Sequence, residues 1–300
     1  MNHIGIRFPR KIKRIPIISF LLLLCILCVG VFGGRRDTER WERMEREVKE
    51  KVFPAEYRDS LQKVFDVGDN TGLRTEKGRT LLFKRREKAV YEGGWGFINA
   101  GWGVIEAEFD KKKARILFSG KAFTNNFTSA FFEVRDFVRS EVDAKGLYPC
   151  FFEQHIHENR YKRSTFALFD HVKGKVYNNR KKKKLEYTIA PFSHDYISLL
   201  YYLRTREFAP GDTFSIRCFV HGKDYPILFE VHGREEVKVN AGTFNCIKVQ
   251  PHLVGEGRNF NKRDKMYLWF TDDEYHVLVK GKSKVAMGWI NAELIHYERK

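Results

Sequence analysis

A chain of 300 residues with 43% hydrophobic and 31% charged side chains can build a globular core, which excludes a wholly disordered protein. Its formal net charge of +17 favours acidic partners. Beyond residue 34 only Cys150, Cys218 and Cys246 remain, so one disulfide at most can form, and a disulfide-stapled scaffold is excluded.

The first 34 residues hold no acid. Arg7, Arg10, Lys11, Lys13 and Arg14 precede an uncharged apolar run, Ile15 to Gly34. This order of charge and apolarity marks an export signal or an N-terminal membrane anchor, with the basic side held in the cytoplasm and the rest of the chain delivered to the far side. Val31 and Gly33 supply the small residues of a cleavage point, whereas the run is also just long enough to span a bilayer if retained.

Residues 35–79 read as a charged helical stem and linker. Glu39 with Arg43, Glu42 with Arg46, and Glu45 with Lys49 are acid-first i,i+4 pairs. Pro54 interrupts the helix, and "DVGDNTGLRTEKGR" has the composition of a linker.

From residue 80 to 300 the rhythm changes to short segments of period two between turn signals. That spacing predicts one all-β domain, a strongly curved antiparallel sheet or half-barrel. "TSAFFEVRDF" is a short helical candidate, and "SHDYISLLYYLRTR" a stronger one. In the latter Ser193 is placed to cap, Asp195 to meet the N-terminal dipole, and Arg204 and Arg206 to meet the other end. Its Tyr196, Leu199, Leu200 and Leu203 share a face, so this amphipathic helix is expected in the concavity of the sheet.

The glycine-rich "GGWGFINAGWGVIE", Gly93 to Glu106, invites a phosphate-loop reading. A phosphate loop needs a helix after its glycines, and here an alternating strand-like segment follows. The stretch is a β-hairpin, with Asn99 to Gly101 expected as a three-residue loop.

Three stretches together resemble the domain of unknown function 3108 family of exported bacterial proteins: "WGFINAGWGVIEAE", "DYISLLYYLRTREFAPGDTFSI", and "VHGREEVKVNAGTFNCIKVQP" with the later "KMYLWFTDDEYHVLVKGKSKVAMGWINAELIHYE". The resemblance spans Lys88 to Glu298. It implies an envelope location, periplasmic or membrane-anchored facing the periplasm, and a twisted sheet similar to lipoprotein-carrier half-barrels. It brings no activity and no catalytic residues.

Candidate sites are few. Glu153, His155 and His157 alternate on one strand face, and such a histidine pair could ligate a metal; a solvated polar sheet face explains them as well. A metal hydrolase on His155 and His157 is therefore a minor alternative. Asp272, Asp273 and Glu274 follow a strand as an ordinary turn would. No nucleophile elbow or cofactor motif is present, so the expectation is a protein without catalysis and without cofactor. Arg180, Lys181, Lys182, Lys183 and Lys184 form a basic hairpin tip, suited to an anionic membrane surface or an acidic glycan. Nucleic acid, a partner rarely met outside the cytoplasm, is not expected.

Aromatic residues make up 15% of the chain, and several strands carry apolar side chains on both faces. The first expectation is a concave apolar face for a lipid-like or other hydrophobic molecule, lined by Tyr91, Trp95, Phe97, Trp102, Tyr201, Leu268, Phe270 and Trp289. The alternative is a binding or assembly module for an acidic glycan, a membrane surface or an envelope protein.

Overall fold

Alternating side chains and frequent turn residues give fourteen strands and two short helices among the described residues. The computed structural model describes residues 82–83, 85–95, 98–159, 161–180, 183–253, 265–285 and 288–300. The expected membrane segment and helical stem lie outside the described residues. The strands are β1 (Glu87–Trp95), β2 (Ile98–Asp110), β3 (Arg115–Thr124), β4 (Arg135–Asp143), β5 (Pro149–Glu158), β6 (Tyr161–Asp170), β7 (Lys175–Arg180) and β8 (Lys183–Thr188). The second run comprises β9 (Thr213–Val220), β10 (Lys223–Val239), β11 (Gly242–Leu253), β12 (Met266–Thr271), β13 (Leu278–Val285) and β14 (Gly288–Arg299). Helix α1 (Asn126–Ser129) lies between β3 and β4, and α2 (Tyr196–Leu203) between β8 and β9.

All fourteen strands form one sheet in the order β8-β7-β6-β5-β4-β3-β2-β1-β14-β13-β12-β11-β10-β9, every pairing antiparallel. The first and last strands zip together in the middle, Tyr91 opposite Leu294. The middle of the chain therefore supplies both edges, β8 and β9. A sheet this wide must curl, and register shifts at Val90/Tyr91, Gly93/Gly94, Glu141/Val142, Val231/Gly233 and Trp269/Phe270 help it bend. The result is an open, curved antiparallel sheet with a helix on its inner face.

Helix α2 belongs to the connection between the two edges, which places it inside the curve. Asp195 is its N-cap and accepts from the backbone N–H of Ile197 (3.0 Å) and Ser198 (2.9 Å), while Ser140 Oγ donates to it from β4 (2.7 Å). Tyr201 stacks flat on Phe118 of β3, ring centroids 3.9 Å apart, and Tyr196 meets Phe152 of β5 edge-on at 5.1 Å. Just before the helix, His194 pairs in parallel with Cys218 and covers part of the β9 edge: His194 N–H donates to Arg217 O (2.9 Å), and Phe219 N–H to His194 O (2.7 Å).

Local expectations are adjusted at three places. Ser193 does not cap the helix; its hydroxyl donates to Asp224 Oδ1 at 2.8 Å, and Asp195 takes the cap because two helical N–H groups reach its carboxylate. "TSAFFEVRDF" yields only the end of the four-residue α1, after which Arg135 onwards pairs with β3 and β5. Asn99 to Gly101 lie inside β2, since Ile98 already pairs with Trp95, Asn99 with Gly94 and Gly101 with Gly93. The family-like stretch "EEVKVNAGTFNCIKVQP" carries the end of β10 and most of β11, with a tight turn at Asn240–Ala241. The tripeptide Val-His-Gly occurs twice with different outcomes: at 220–222 it makes a hairpin turn, His221 and Gly222 both at positive φ, and at 231–233 a bulge within β10.

A candidate binding pocket at the open seam

The edges β8 and β9 do not pair, and a narrow pocket with about 40 Å³ of free space lies on the inner face at this seam. Alternation along β5 and β6 turns Phe152 and Gln154, and Arg163, Thr165 and Ala167, to the inside. Asn178 of β7 and Tyr187 of β8 extend the wall, and Tyr196 of α2 forms the floor. Phe219, Val220, His221 and Gly222 approach from the β9–β10 hairpin. The rim is closed on one side by contact across the seam: Arg163 Nη2 donates to His221 Nδ1 at 3.2 Å, and the rings of Tyr187 and Phe219 lie 5.5 Å apart.

Its chemistry is mixed. Four aromatic rings supply apolar surface, and no carboxylate lines the cavity. Thr165 and Asn178 are buried, yet Thr165 Oγ1 and Asn178 Oδ1 make no hydrogen bond within the protein. A buried polar atom left unpaired costs about 1–3 kcal/mol, so two at one cavity wall are a place for a ligand's polar group or water. Near the pocket, burial pushes the carboxyl of Asp136 up to about 7, against the backbone N–H of His157 that it accepts at 2.9 Å.

A second, smaller gap with about 10 Å³ of free space lies on the other side of Tyr196. Leu199, Leu200 and Leu203 of α2 face Ile227, Phe229, Pro251 and Leu268 across it. It is almost wholly apolar.

The eight residues expected to line a concave face do not converge on one surface. Tyr91, Tyr201 and Phe270 are packed in the core, and Leu268, equally buried, borders the smaller cavity. Trp95 is half exposed at the β1–β2 hairpin end. Trp102 lies on the outer face, 6.2 Å from Phe123, and Trp289 stacks on Tyr267 at 6.3 Å, also outside. Phe97 lies outside the described residues. Period two separated neither the inner from the outer aromatics nor those with free space beside them, because the first depends on register and the second on where α2 settles.

The outer face answers the question of what covers its apolar side chains. Lys248 Nζ stands 4.9 Å from the Tyr267 ring and 5.2 Å from Trp269, and Lys282 Nζ 4.8 Å from Trp289. Glu153 and His155 share that face as expected. His155 is held through both ring nitrogens, by Glu153 Oε1 (2.7 Å) and Ser164 Oγ (2.9 Å). Among the described residues no three His, Cys, Asp or Glu side chains gather closely enough to hold a metal ion. Asp273 serves its turn, accepting from the N–H groups of Tyr275 (2.9 Å) and His276 (3.0 Å). Of the basic run, Arg180 of β7 pairs with Lys183 of β8, and Lys181 and Lys182 lie outside the described residues.

The polar pocket residues Gln154, Arg163, Thr165 and Asn178 were missed by sequence reasoning. Their signal was available: in "FFEQHIHE" the parity that puts Glu153, His155 and His157 on one side puts Gln154 on the other, among apolar neighbours.

An open, curved antiparallel β-sheet wrapped around a short helix defines a β-barrel-like class. The chain belongs to the protein family of unknown function DUF3108, whose sequence pattern it matches over residues 90–295. No curated protein matches its sequence. Among solved structures it is similar to the β-barrel-like protein of domain of unknown function DUF1849 from Brucella abortus, with 8% identity, a TM-score of 0.53, and coverage of 72% of this chain and 98% of that one. At that identity the likeness shows the fold alone. Weaker matches are a "putative lipoprotein" of Parabacteroides distasonis (11% identity, TM-score 0.31, 72% and 96% coverage) and a "putative exported protein with YmcC-like fold" of Bacteroides fragilis (11%, 0.28, 71% and 95%).

Proposed function

We propose that this is a non-catalytic extracytoplasmic protein that binds a lipid-like amphiphile in the seam pocket. The observation that carries the reading is the pair of unpartnered buried polar atoms, Thr165 Oγ1 and Asn178 Oδ1, set in a wall that four aromatic rings share with Gln154 and Arg163. The narrow free space admits a polar head, which meets Gln154, Thr165 and Asn178 with Arg163 at the rim favouring a negative one, and the apolar body lies along Phe152, Tyr187 and Phe219 as the unpaired β8 and β9 edges part. The basic start and apolar run of residues 1–34 support export, and the family resemblance supports the envelope.

The test is native and denaturing mass spectrometry of the full chain purified from an exporting host. A discrete excess mass that disappears on denaturation, extracts into organic solvent, and is lost in a Thr165→Val/Asn178→Leu variant supports the proposal. A clean unliganded mass for the wild type overturns it.

A second reading, contact with an acidic glycan, draws support from the outer-face row of Tyr267, Trp269 and Trp289 with Lys248 and Lys282 across the rings. Alanine at Trp289 and Lys282 together would abolish retention on an immobilised acidic polysaccharide if this is right, and leave it unchanged if not.

A further inference from the structure

Six large apolar side chains are well exposed among the described residues, and five of them sit at one end of the sheet. Because every pairing is antiparallel, the β1–β2 hairpin and the β3–β4 link lie at the same end. The hairpin carries Trp95 (45% exposed) and Ile98 (43%), and the link carries Phe127 (68%), Phe131 (74%) and Phe132 (45%). Backbone geometry holds the two together: Asn125 N–H donates to Ala100 O at 3.0 Å, and Asn125 Nδ2 to Asn99 O at 2.8 Å. The link is also tied to the β5–β6 turn, Glu133 N–H donating to Asn159 Oδ1 at 2.6 Å.

These side chains contribute little to the fold. Phe127 and Phe131 meet each other, 5.6 Å between ring centroids, and α1 has no buried residue at all. Leaving five large apolar groups in water on neighbouring loops is unfavourable and marks an interaction surface. They project from turns rather than lining a flat or concave face. The cations around them are exposed: Lys121 on β3 and Lys162 on β6. Glu133 is paired with Arg135 at 2.6 Å, and Glu92 and Glu158 balance the two lysines, so the positive excess at this end comes from exposed Lys265 and Lys284, at the same end of β12 and β13.

We infer that this end of the sheet is a membrane-contact tip, its aromatic side chains entering the interfacial region of a bilayer and its lysines meeting anionic headgroups. Protruding Trp and Phe with a basic surround match the charge and depth profile of such an interface. The same chain carries the apolar run Ile15 to Gly34, an independent sequence reason for it to reside at a bilayer. The β9–β10 turn that rims the seam pocket, His221–Gly222, lies at this end too, since β9 runs parallel to β1 through the alternating order.

The experiment is hydrogen exchange on the full-length protein, read by mass spectrometry over residues 95–98 and 125–134. The readout is local, so it does not depend on what residues 15–34 do. Vesicles of phosphatidylethanolamine with phosphatidylglycerol should slow exchange in both segments at least tenfold, and phosphatidylcholine vesicles much less. A Phe127→Ser/Phe131→Ser variant should lose that protection with an unchanged unfolding midpoint, because both side chains are exposed. The proposal is overturned if exchange in these segments is unchanged by anionic vesicles, or if both lipids protect equally. Protection that grows with protein concentration in the absence of vesicles would also overturn it, making a second copy the occupant.

Discussion

Arg204 and Glu87 form an ion pair sealed inside the protein, Nη2 donating to Oε2 at 2.8 Å with side-chain exposures of 3% and 2%. The pair joins the C-cap of α2 to the first residue of β1, and Tyr297 Oη of β14 donates to the same Oε2 at 2.9 Å. Arg204 Nε also donates to Tyr275 O at 3.0 Å. One charged pair thus ties the helix to both strands of the central zipper. Burial alone would raise the Glu87 carboxyl; the Arg204 charge and its hydrogen bonds outweigh it and hold the group below its ordinary value.

Breaking that pair on one side leaves a buried charge uncompensated. Glu87→Gln is expected to lower stability by about 3–5 kcal/mol in urea unfolding, whereas a Glu87→Met/Arg204→Met double variant should recover most of the loss. A single-variant effect below about 1 kcal/mol would show that the pair does not hold the helix.

Two buried histidines make the fold sensitive to acid. Burial lowers His171 to about 4 and His194 to about 3. Both remain neutral in the fold at pH values where the unfolded chain takes up protons, near 6.5. Their contribution is present above pH 6.5 and is lost as pH falls towards 4 and 3. Asp136 and Asp195, raised by burial to about 7 and about 6, act in the opposite sense over part of this range. The histidine effect is therefore read as a difference: the melting temperature of His171→Gln minus that of the wild type should become steadily more positive from pH 7 to pH 4.5. A difference independent of pH would contradict the burial of this ring.

Gly222 is required where the seam closes. Its φ is +84°, and a Cβ there would lie 2.8 Å from Tyr187 Cε1. Gly222→Ala should cost about 1–3 kcal/mol from the backbone conformation and the clash together. On a Tyr187→Ala background the clash disappears, so the same substitution should cost less, and a thermodynamic cycle measures the difference. Equal costs on both backgrounds would mean that turn and ring do not touch.

Cys150, Cys218 and Cys246 are separate buried thiols, on β5, β9 and β11. Burial pushes Cys150 and Cys246 up to about 12 and Cys218 well above its ordinary value. Iodoacetamide at pH 8 should modify none of the three in the folded protein and all three in urea, as mapped by peptide mass. Labelling of the native protein, or a peptide pair linked by a disulfide, would refute this.

Much of this architecture is written locally. Period-two segments between turn residues specify strands wherever one face is buried, and the 3.6-residue spacing of Tyr196, Leu199, Leu200 and Leu203 specifies the helix that fills the curve. The glycine-rich stretch declares itself a hairpin because strand-like alternation follows it. Errors arose where a local preference had two outlets. Ser193 and Asp195 can both cap a helix, and the choice fell to Asp195 because Asp224, some thirty residues on, engages the Ser193 hydroxyl. "EVRDF" continued a helical pattern but had neighbours on both sides to pair with as a strand.

The sequence by itself determined the strands, the helix, the basic apolar start and the family, because each depends on spacing or composition within a few tens of residues. Only the tertiary structure decided that β1 zips to β14, that the edges are β8 and β9, and that they stay unpaired. Those outcomes depend on contacts up to two hundred residues apart, and the free space at the seam is a remainder after all packing is complete. A pocket made of gaps leaves no periodic signature. Hence Thr165 and Asn178, ordinary polar residues in sequence, became conspicuous only when the fold buried them without partners.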